Sequence, residues 1–521
     1  MNQVQVQIIL YMRKHHSILS ILFIVIAVIL NPLSLTAQAN LHEEPRIFWG
    51  MPLPKSGKED LIKIIGVHKD QLIILKRDRL NIFENEKWHL EQYPENNPSK
   101  KETTKIPLTL GKEEIELTLE KVIILNSTIV VIAGNKQKKN KVNDLYFCQF
   151  NANDKSFSSY TPLTSLLMDD KSNVKEDIVF CSAADELYSI KLTTRNPDPN
   201  SIEINRYNAK IELTGKKTIE LKEIGEDWII QNAMVSSENF LFFNLKNTNQ
   251  GNHHTLISLN FDQNLTNLVE LEIPKMEILS MHFTLEKNQL FIAGLLKEKK
   301  KNASPSAYYW AGFDQSLQTI YPLKYSDINA IEEKGIKSKE KNRDWEDLKS
   351  IQLVKSNQGL FLVSEQQRVD NICISDFRTG FIRCNDYYYF VDILCVFIAL
   401  EGSSWKTTLH KYQSSIDDNG INGSVLVSEY HENGIFIVFN DHVKNFEKKE
   451  EEIKTMSNAS KSICTGVSID RNGKVSKVKL YSSKEQNIIL QPRIGMGIRN
   501  KAYYVYGEKN GTSRIGKLML P

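Results

Sequence analysis

The chain has 521 residues, of which 66 are Lys or Arg and 63 are Asp or Glu, so its formal net charge is +3. A nearly balanced charge argues against nucleic-acid binding, which depends on clustered cations that neutralise phosphates. The six cysteines include no C-x-x-C pair, which excludes zinc-ribbon and thioredoxin-type sites.

The first 39 residues are predicted to be a signal peptide. Arg13 and Lys14 precede the apolar run Ile18–Leu30, and Ala37–Ala39 has the small residues of a cleavage site. The run is too short to span a bilayer, which needs about 20 residues; an uncleaved membrane anchor is the alternative. We therefore expect an exported protein, periplasmic or extracellular, whose mature chain (40–521) has no transmembrane segment.

Eight short apolar runs recur along the mature chain, each with the length of a buried β-strand. They are Gln71–Leu75, Ser127–Ile132, Glu186–Ile190, Asn239–Phe243, Gln289–Ala293, Gly359–Val363, Gly434–Val438 and Lys501–Val505. Measured between one apolar residue of each, consecutive runs lie 49 to 75 residues apart. A repeat of this length with several strands per unit is typical of β-propeller blades. The sequence thus predicts an all-β fold, a single β-propeller of seven or eight blades over residues 40–521.

The end of the chain suggests how the ring closes. Only about three strands follow Ser482, so a four-stranded last blade would lack one. The segment Arg46–Trp49 could supply it. Pairing of the N- and C-terminal strands would then remove exposed sheet edges.

Two cysteines are close enough in sequence to form a disulfide. Cys373 and Cys384 flank the segment Ser375–Gly380. A two-residue turn at Arg378-Thr379 would place the cysteines opposite each other on a hairpin. A three-residue loop that uses Gly380 would shift the register by one residue and separate them. The sequence is compatible with both arrangements.

Motifs for cofactors and metals are absent. The chain has no Walker loop, no G-x-S-x-G elbow and no H-E-x-x-H helix, so no cofactor is expected. The segment Asp418–Glu429 matches part of a twelve-residue calcium loop, with Gly423 at the sixth position, but Gly420 occupies a ligand position and neither flank is helical. We therefore interpret it as a polar connection between strands and expect no metal.

Polar residues follow several predicted strands in the last quarter of the chain. Asn440, Asp441, Lys444 and Asn445 come just after the apolar run Gly434–Val438. They are expected at a blade rim, where loops converge on ligands; the alternative is that they cap the strand with turn hydrogen bonds. The candidate binding residues are Asp392, Gln413, Asp417, Asp418, Asn440, Asp441, Lys444 and Asn445.

The same region carries an ordered series of motifs. They are a tyrosine-rich strand ending in Asp392, Trp405, Lys411-x-Gln413, Asn440-Asp441-x-x-Lys444-Asn445 and Tyr506-Gly507-Glu508. This series resembles uncharacterised exported proteins of Bacteroidetes-type bacteria over about residues 385–520. The resemblance implies a secreted propeller-like protein and carries no known activity. His442 stands where those proteins usually have a second Asn.

Two functions are compatible with these patterns. The first is a non-enzymatic binding or scaffold propeller of the bacterial envelope, with an unknown protein or glycan as partner. The alternative is a glycan-acting hydrolase or lyase, since paired carboxylates can serve as acid and base or nucleophile; Asp392 and Asp441, with Asp417 or Asp418, are the candidates. The absence of a recognisable catalytic constellation favours the first.

Overall fold

Regular structure is almost entirely β in this computed structural model, with 38 strands, one five-residue α-helix and two 3-10 helices in the residues described. Those residues are 44–53, 59–78, 86–94, 101–112, 114–168, 174–195, 200–221, 228–248, 253–300, 303–335, 344–375, 382–431, 433–447, 453–498 and 502–520. The predicted signal peptide lies outside them. Ile47–Met519 form one compact unit, the main unit.

The strands of the first half form four blades and a small hairpin. Before the first blade in sequence comes β1 (Arg46–Trp49). Blade one contains β2 (Glu59–His68), β3 (Gln71–Asp78), β4 (Trp88–Pro94) and β5 (Glu102–Lys105). The hairpin comprises β6 (Thr109–Leu110) and β7 (Ile115–Glu116). Blade two contains β8 (Thr118–Ile124), β9 (Ile129–Gln137), β10 (Val142–Asn151), β11 (Ser156–Phe157) and β12 (Thr161–Leu167). Blade three contains β13 (Val174–Ala183), β14 (Glu186–Arg195), β15 (Asn200–Tyr207) and β16 (Leu213–Leu221). Blade four contains β17 (Trp228–Val235), β18 (Leu241–Asn247), β19 (His254–Asn260) and β20 (Leu265–Leu271).

The second half forms four further blades. Blade five contains β21 (Met276–Ile278), β22 (His282–Glu286), β23 (Gln289–Glu298), β24 (Pro305–Phe313) and β25 (Thr319–Asp327). Blade six contains β26 (Glu332–Glu333), β27 (Leu348–Ser356), β28 (Gly359–Ser375), β29 (Ile382–Ala399), β30 (Ser404–Leu409) and β31 (Gln413–Ile416). Blade seven contains β32 (Leu426–Tyr430), β33 (Gly434–His442), β34 (Ser462–Asp470) and β35 (Val475–Ser482), with helix α1 (Val443–Glu447) and the 3-10 helix Ala459–Lys461 between β33 and β34. Blade eight follows the 3-10 helix Pro492–Ile494 and contains β36 (Met496–Ile498), β37 (Ala502–Lys509), β38 (Thr512–Met519) and β1.

The eight apolar runs of the sequence lie in one inner strand of each blade, namely β3, β9, β14, β18, β23, β28, β33 and β37. Each of these strands has a hydrogen-bonded neighbour on both sides. Its two faces are also covered, so that residues such as Ile73 and Ile74 in β3 are both fully buried. A strand with this environment is apolar throughout instead of alternating. The predicted propeller is confirmed, and eight blades are present in the described residues.

The hydrophobic core lies between neighbouring blades. Most apolar clusters combine side chains of two blades that are consecutive in sequence, for example Tyr188 of blade three with Phe243 of blade four. One cluster joins Tyr504 and Tyr506 of blade eight to Leu72 of blade one. The contacts therefore continue around the ring.

The predicted closure by an N-terminal strand is also confirmed. Within the main unit, the backbone N–H of Gly50 donates to the carbonyl of Ile515 at 2.9 Å. The Trp49 ring packs edge-on against Tyr481 of blade seven, with the ring centroids 5.6 Å apart. The N-terminal segment thus completes blade eight and also contacts blade seven.

Helices contribute little to this fold. In the described ranges, none is long and apolar enough to cross a membrane.

Replacing Trp49 tests the closure. Trp49→Ala removes a large, partly buried ring, so we expect the free energy of unfolding to fall by about 2 kcal/mol, below the cost of a fully buried Trp. Phe48→Ala on the same strand is the matched control, because Phe48 is 58% exposed, and it should change stability by less than about 0.5 kcal/mol. Urea denaturation measures both. Equal effects of the two substitutions would contradict a role for Trp49 in closure.

Candidate functional site

Five of the eight predicted site residues come together at the junction of blades six and seven. They are Asp392, Gln413, Asn440, Asp441 and Asn445, and all five are buried. The sequence allowed two interpretations of the last three, ligand binding at a blade rim or capping of the strand, and their burial agrees with the second. β33 continues as a paired strand through Asp441, and α1 follows directly, so these side chains point into the protein.

A buried ion pair is at the centre of this junction. The Lys411 ammonium lies 2.5 Å from Glu365 Oε1, and neither side chain is exposed to solvent. Lys411 Nζ also donates to Gln413 Oε1 at 2.7 Å. Burial lowers the pKa of Lys411, while the charge of Glu365 opposes that shift. An ion pair that is excluded from solvent is stable only when its remaining donors and acceptors also form hydrogen bonds.

Neighbouring polar groups form hydrogen bonds with both members of the ion pair. Glu365 Oε2 accepts hydrogen bonds from Ser424 Oγ at 2.7 Å and from Gln367 Nε2 at 2.6 Å. Gln413 Oε1 also accepts from the backbone N–H of Ser424 at 3.1 Å. Gln413 Nε2 donates to the carbonyl of Asn440. The cluster thereby joins β28 and β31 of blade six to β33 of blade seven.

Asn440 links the same junction to the segment that leads into blade eight. Its Nδ2 donates to the carbonyls of Asn422 and Leu490, both at 2.8 Å. One fully buried side chain thus bonds the loop before blade seven and the segment after it. This is a structural role.

Asp441 organises the chain where β33 ends. Its Oδ1 accepts from the N–H of His442 and from Asn445 Nδ2, both at 2.8 Å. Its Oδ2 lies 3.4 Å from Lys477 Nζ. Asn445 in turn bonds both the N–H and the carbonyl of Lys454. These contacts are the turn and capping bonds that the sequence allowed as the alternative to ligand binding.

Asp392 is held in a similar way. Its Oδ2 lies 3.0 Å from His410 Nδ1, and its Oδ1 accepts from the N–H of Lys411 at 3.1 Å. The carboxylate therefore orients the connection between β30 and β31, which carries Lys411.

The other three predicted residues lie apart from this cluster. Asp417 Oδ1 accepts from the N–H of Asp386 at 2.7 Å, and Asp418 Oδ1 accepts from the N–H of Gly420 at 2.8 Å. Both shape the turn after β31. Lys444 is exposed on α1. Adjacency in sequence does not determine which side chains turn inward, and a binding role for these three residues stays a prediction.

The chemistry of the cluster is limited by its own contacts. Glu365, Asp392 and Asp441 are each 4% exposed or less, and each is engaged by protein donors. A glycosidase needs one carboxyl group to reach the leaving oxygen and another to reach the sugar or a water. In the described part of the chain, no group of three or more His, Cys, Asp or Glu side chains could hold a metal ion.

A groove of about 620 Å³ lies between blades one and two. Trp88 is the one aromatic residue in its lining. The Trp88 indole N–H donates to Glu86 at 3.1 Å, and the Arg77 guanidinium lies 5.6 Å from its ring centroid. This Trp is therefore already engaged by protein groups.

Blade six carries a second distinctive feature, a projecting hairpin. β27 pairs with β28 only as far as Gln366. Residues 367–375 and 382–390 continue as a two-stranded ladder, and β31 pairs with its β29 side. We call residues 367–375, 382–390 and β31 the arm.

One face of the arm is exposed and rich in apolar and aromatic residues. Residues opposite each other in an antiparallel pair share a face, so the registers place Asp370, Arg383, Asn385 and Ser414 on this face. The same face carries Arg368, Ile372, Ile374, Tyr387, Tyr389 and Ile416. We call these six residues the arm face. Ile374 is 62% exposed and Ile416 is 53% exposed. The Arg368 guanidinium lies 4.9 Å from the Tyr389 ring centroid.

A disulfide joins the two strands of the arm. Cys373 and Cys384 are directly opposite in the register, and their sulfur atoms are bonded. The turn residues 376–381 lie outside the described part of the chain. The bridge fixes the pairing of the arm where few core contacts support it.

Sequence reasoning missed the residues at the centre of both features. Glu365 and Lys411 form the buried pair, yet neither was a candidate. A signal was available for Glu365, because it follows the apolar run Gly359–Val363 by two positions and continues the same strand. The arm face lacked such a signal, since exposed strands resemble loops in composition.

Comparison with known proteins yields fold similarity alone. No protein family and no curated protein matches the sequence. The polysaccharide lyase Uly1 is 10% identical with a TM-score of 0.41, covering 88% of this chain and 90% of that one. An α-L-arabinanase from Penicillium chrysogenum is 5% identical with a TM-score of 0.30, covering 70% and 98%. The propeller domain of the Trilobed protease from Pyrococcus furiosus is 6% identical with a TM-score of 0.33, covering 77% and 95%.

Breaking the buried pair should destabilise the protein. Lys411→Met leaves the Glu365 carboxylate buried without its cation, so we expect a loss of about 3–5 kcal/mol in the free energy of unfolding. The double variant Lys411→Met with Glu365→Leu should recover most of that loss. Lys444→Met is the control, because Lys444 is exposed, and should be nearly neutral. A single variant as stable as wild type in urea would rule out this structural role.

Thiol counting tests the disulfide. The other four cysteines are free. Burial raises the pKa of the Cys148 thiol to about 11 and that of Cys181 to about 12, and it also raises the pKa of Cys395 and Cys464. Because the thiolate is the reactive form, the count needs denaturant.

In denaturant without reductant, we expect four thiols to react with Ellman's reagent. After reduction, six should react. Six thiols without reductant would show that the bridge is absent.

Proposed function

We propose that this chain is an exported, non-catalytic propeller that binds another protein through the arm face. The observation that carries the proposal is the composition of that face. Ile372, Ile374 and Ile416 are exposed beside two tyrosines and an arginine. Exposed apolar patches mark interaction sites, and aromatic residues and Arg are enriched at the centres of protein interfaces.

Protein is favoured over glycan as the partner. Sugars are bound through hydroxyl groups and need polar groups that are free to bond them. On the arm face, Arg368 already pairs with Asp370 at 3.1 Å and stacks on Tyr389. Three isoleucines supply apolar area but no hydrogen bonds. An apolar protein surface with a polar margin would match this face better.

The buried carboxylates support a non-catalytic role. Glu365, Asp392 and Asp441 are bound to Lys411, His410 and Asn445, respectively. With 4% of their surface exposed or less, these carboxylates do not reach a substrate directly.

Export is part of the proposal. It is supported by the predicted signal peptide and by the Cys373–Cys384 bridge. Disulfides persist in oxidising compartments, such as the periplasm and the exterior of the cell, and are rare in the cytosol.

Site-specific photo-crosslinking tests the binding function. A photoreactive amino acid in place of Ile416 should yield an adduct with another protein in cells that produce this chain. The same amino acid in place of Tyr325, which is 53% exposed on blade five, is the matched control and should yield none. The partner protein identified from that adduct should then be purified on its own. It should bind the Tyr389→Ala variant of this chain at least about tenfold more weakly than the wild-type chain, as at interface hot spots.

Two outcomes would contradict the proposal. One is adduct formation that is equal at Ile416 and Tyr325. The other is release of unsaturated or reducing sugars from polysaccharides by the wild-type protein, lost in Asp392→Asn or Asp441→Asn. That second result would identify a glycan-acting enzyme instead.

A further inference from the structure

The arm has a lateral edge without a neighbouring strand in the described residues. β27 covers β28 only from Gly359 to Gln366. Beyond that point, residues 367–375 of β28 pair with β29 on one side. β31 lies on the far side of β29 and leaves the outer edge of β28 uncovered.

The register shows which backbone groups face this edge. Cys373 and Cys384 are opposite each other with a Cα–Cα distance of 3.9 Å, which is the short spacing of a non-hydrogen-bonded antiparallel pair. Such pairs alternate with hydrogen-bonded ones, so Val369, Asn371 and Cys373 direct their N–H and C=O groups outward. Gln367 has the same phase, and its N–H donates outward to the carbonyl of Asp347 at 3.0 Å.

Of the features that usually prevent strand pairing, the edge carries only charged side chains, those of Arg368 and Asp370. Residues 367–375 contain no Pro and no Lys, and their pairing with β29 shows no bulge. Natural proteins protect exposed edges with such features because unpaired N–H and C=O groups recruit other strands. Val369, at this edge, is 54% exposed and β-branched.

We propose that a second copy of this chain pairs with this edge, antiparallel, about a two-fold axis at Asn371. The pairing would form about six backbone hydrogen bonds, two for each hydrogen-bonded residue pair. It is an isologous contact that closes on itself as a dimer. It is independent of the proposed function, because edge pairing leaves the arm face open to another protein.

The edge is self-complementary in this register. With Asn371 opposite itself, Val369 meets Cys373, so the six bonds fall on residues 369–373. The N–H of Gln367 takes no part, because it already donates to Asp347. An axis at Asp370 would place two carboxylates directly opposite each other, which is destabilising. An axis at Val369 would bring the second copy onto the segment that β27 already covers.

Molar mass measurement tests the dimer. Sedimentation equilibrium of the full chain should show a mass that doubles as its concentration rises. Asn371→Lys places two cations opposite each other at the axis and should weaken the dimer at least about tenfold. Asn385→Lys, which adds the same charge on β29 away from the edge, is the control and should leave the dissociation constant within about twofold.

Hydrogen exchange gives a reading on wild-type protein, so it does not depend on how a variant folds. Amides of Val369, Asn371 and Cys373 should be protected at high protein concentration and exposed at low concentration. Those of Asp370 and Ile372, which bond to β29, should be protected at both.

The pairing is overturned if the protein is monomeric at all concentrations, if Asn371→Lys leaves dimerisation unchanged, or if the edge amides exchange at a rate independent of concentration. None of these results would alter the Ile416 crosslink. The dimer can therefore be disproved without disproving protein binding by the arm face, and the reverse also holds.

Discussion

The structure depends on contacts between the faces of neighbouring blades. A four-stranded sheet can bury its apolar faces only against another sheet, and in a ring each blade supplies that cover for the next. The clusters that join blade three to blade four and blade eight to blade one show the pattern at separate points of the circle. Every blade is thus stabilised by its neighbours on both sides, and the strand that closes the ring supports more than its own sheet.

The sequence revealed the parts of this arrangement that leave a local pattern. The inner strand that carries the apolar run of each blade is buried on both faces, so runs such as Gly434–Val438 are apolar throughout and recur at blade spacing. The missing strand of the last blade could likewise be inferred from the chain's end. Outer strands alternate in polarity, and their exact pairing could not be read from composition.

The candidate site was only partly predictable, because burial is a tertiary property. Asn440 and Asp441 follow a strand, as their positions indicated, but the local pattern could not show that α1 and Lys454 would enclose them. Lys411 and Glu365 are far apart in sequence, and charged residues are normally assigned to the surface. Their contact exists only once blade six is assembled. The result is a polar junction that fixes how two blades meet.

The strand order of blade eight also has a consequence for how the protein reaches its native state. Gly50 and Ile515 bond to each other although nearly the whole chain separates them. To form a contact between such distant residues, the chain must first lose the entropy of closing a long loop. This slows folding, because the stabilising contacts form only afterwards. The first seven sheets can assemble in order as the polypeptide emerges, but the eighth must wait for the last residues. During that interval the ring is open, and its unfinished sheet is the surface most exposed to misassociation.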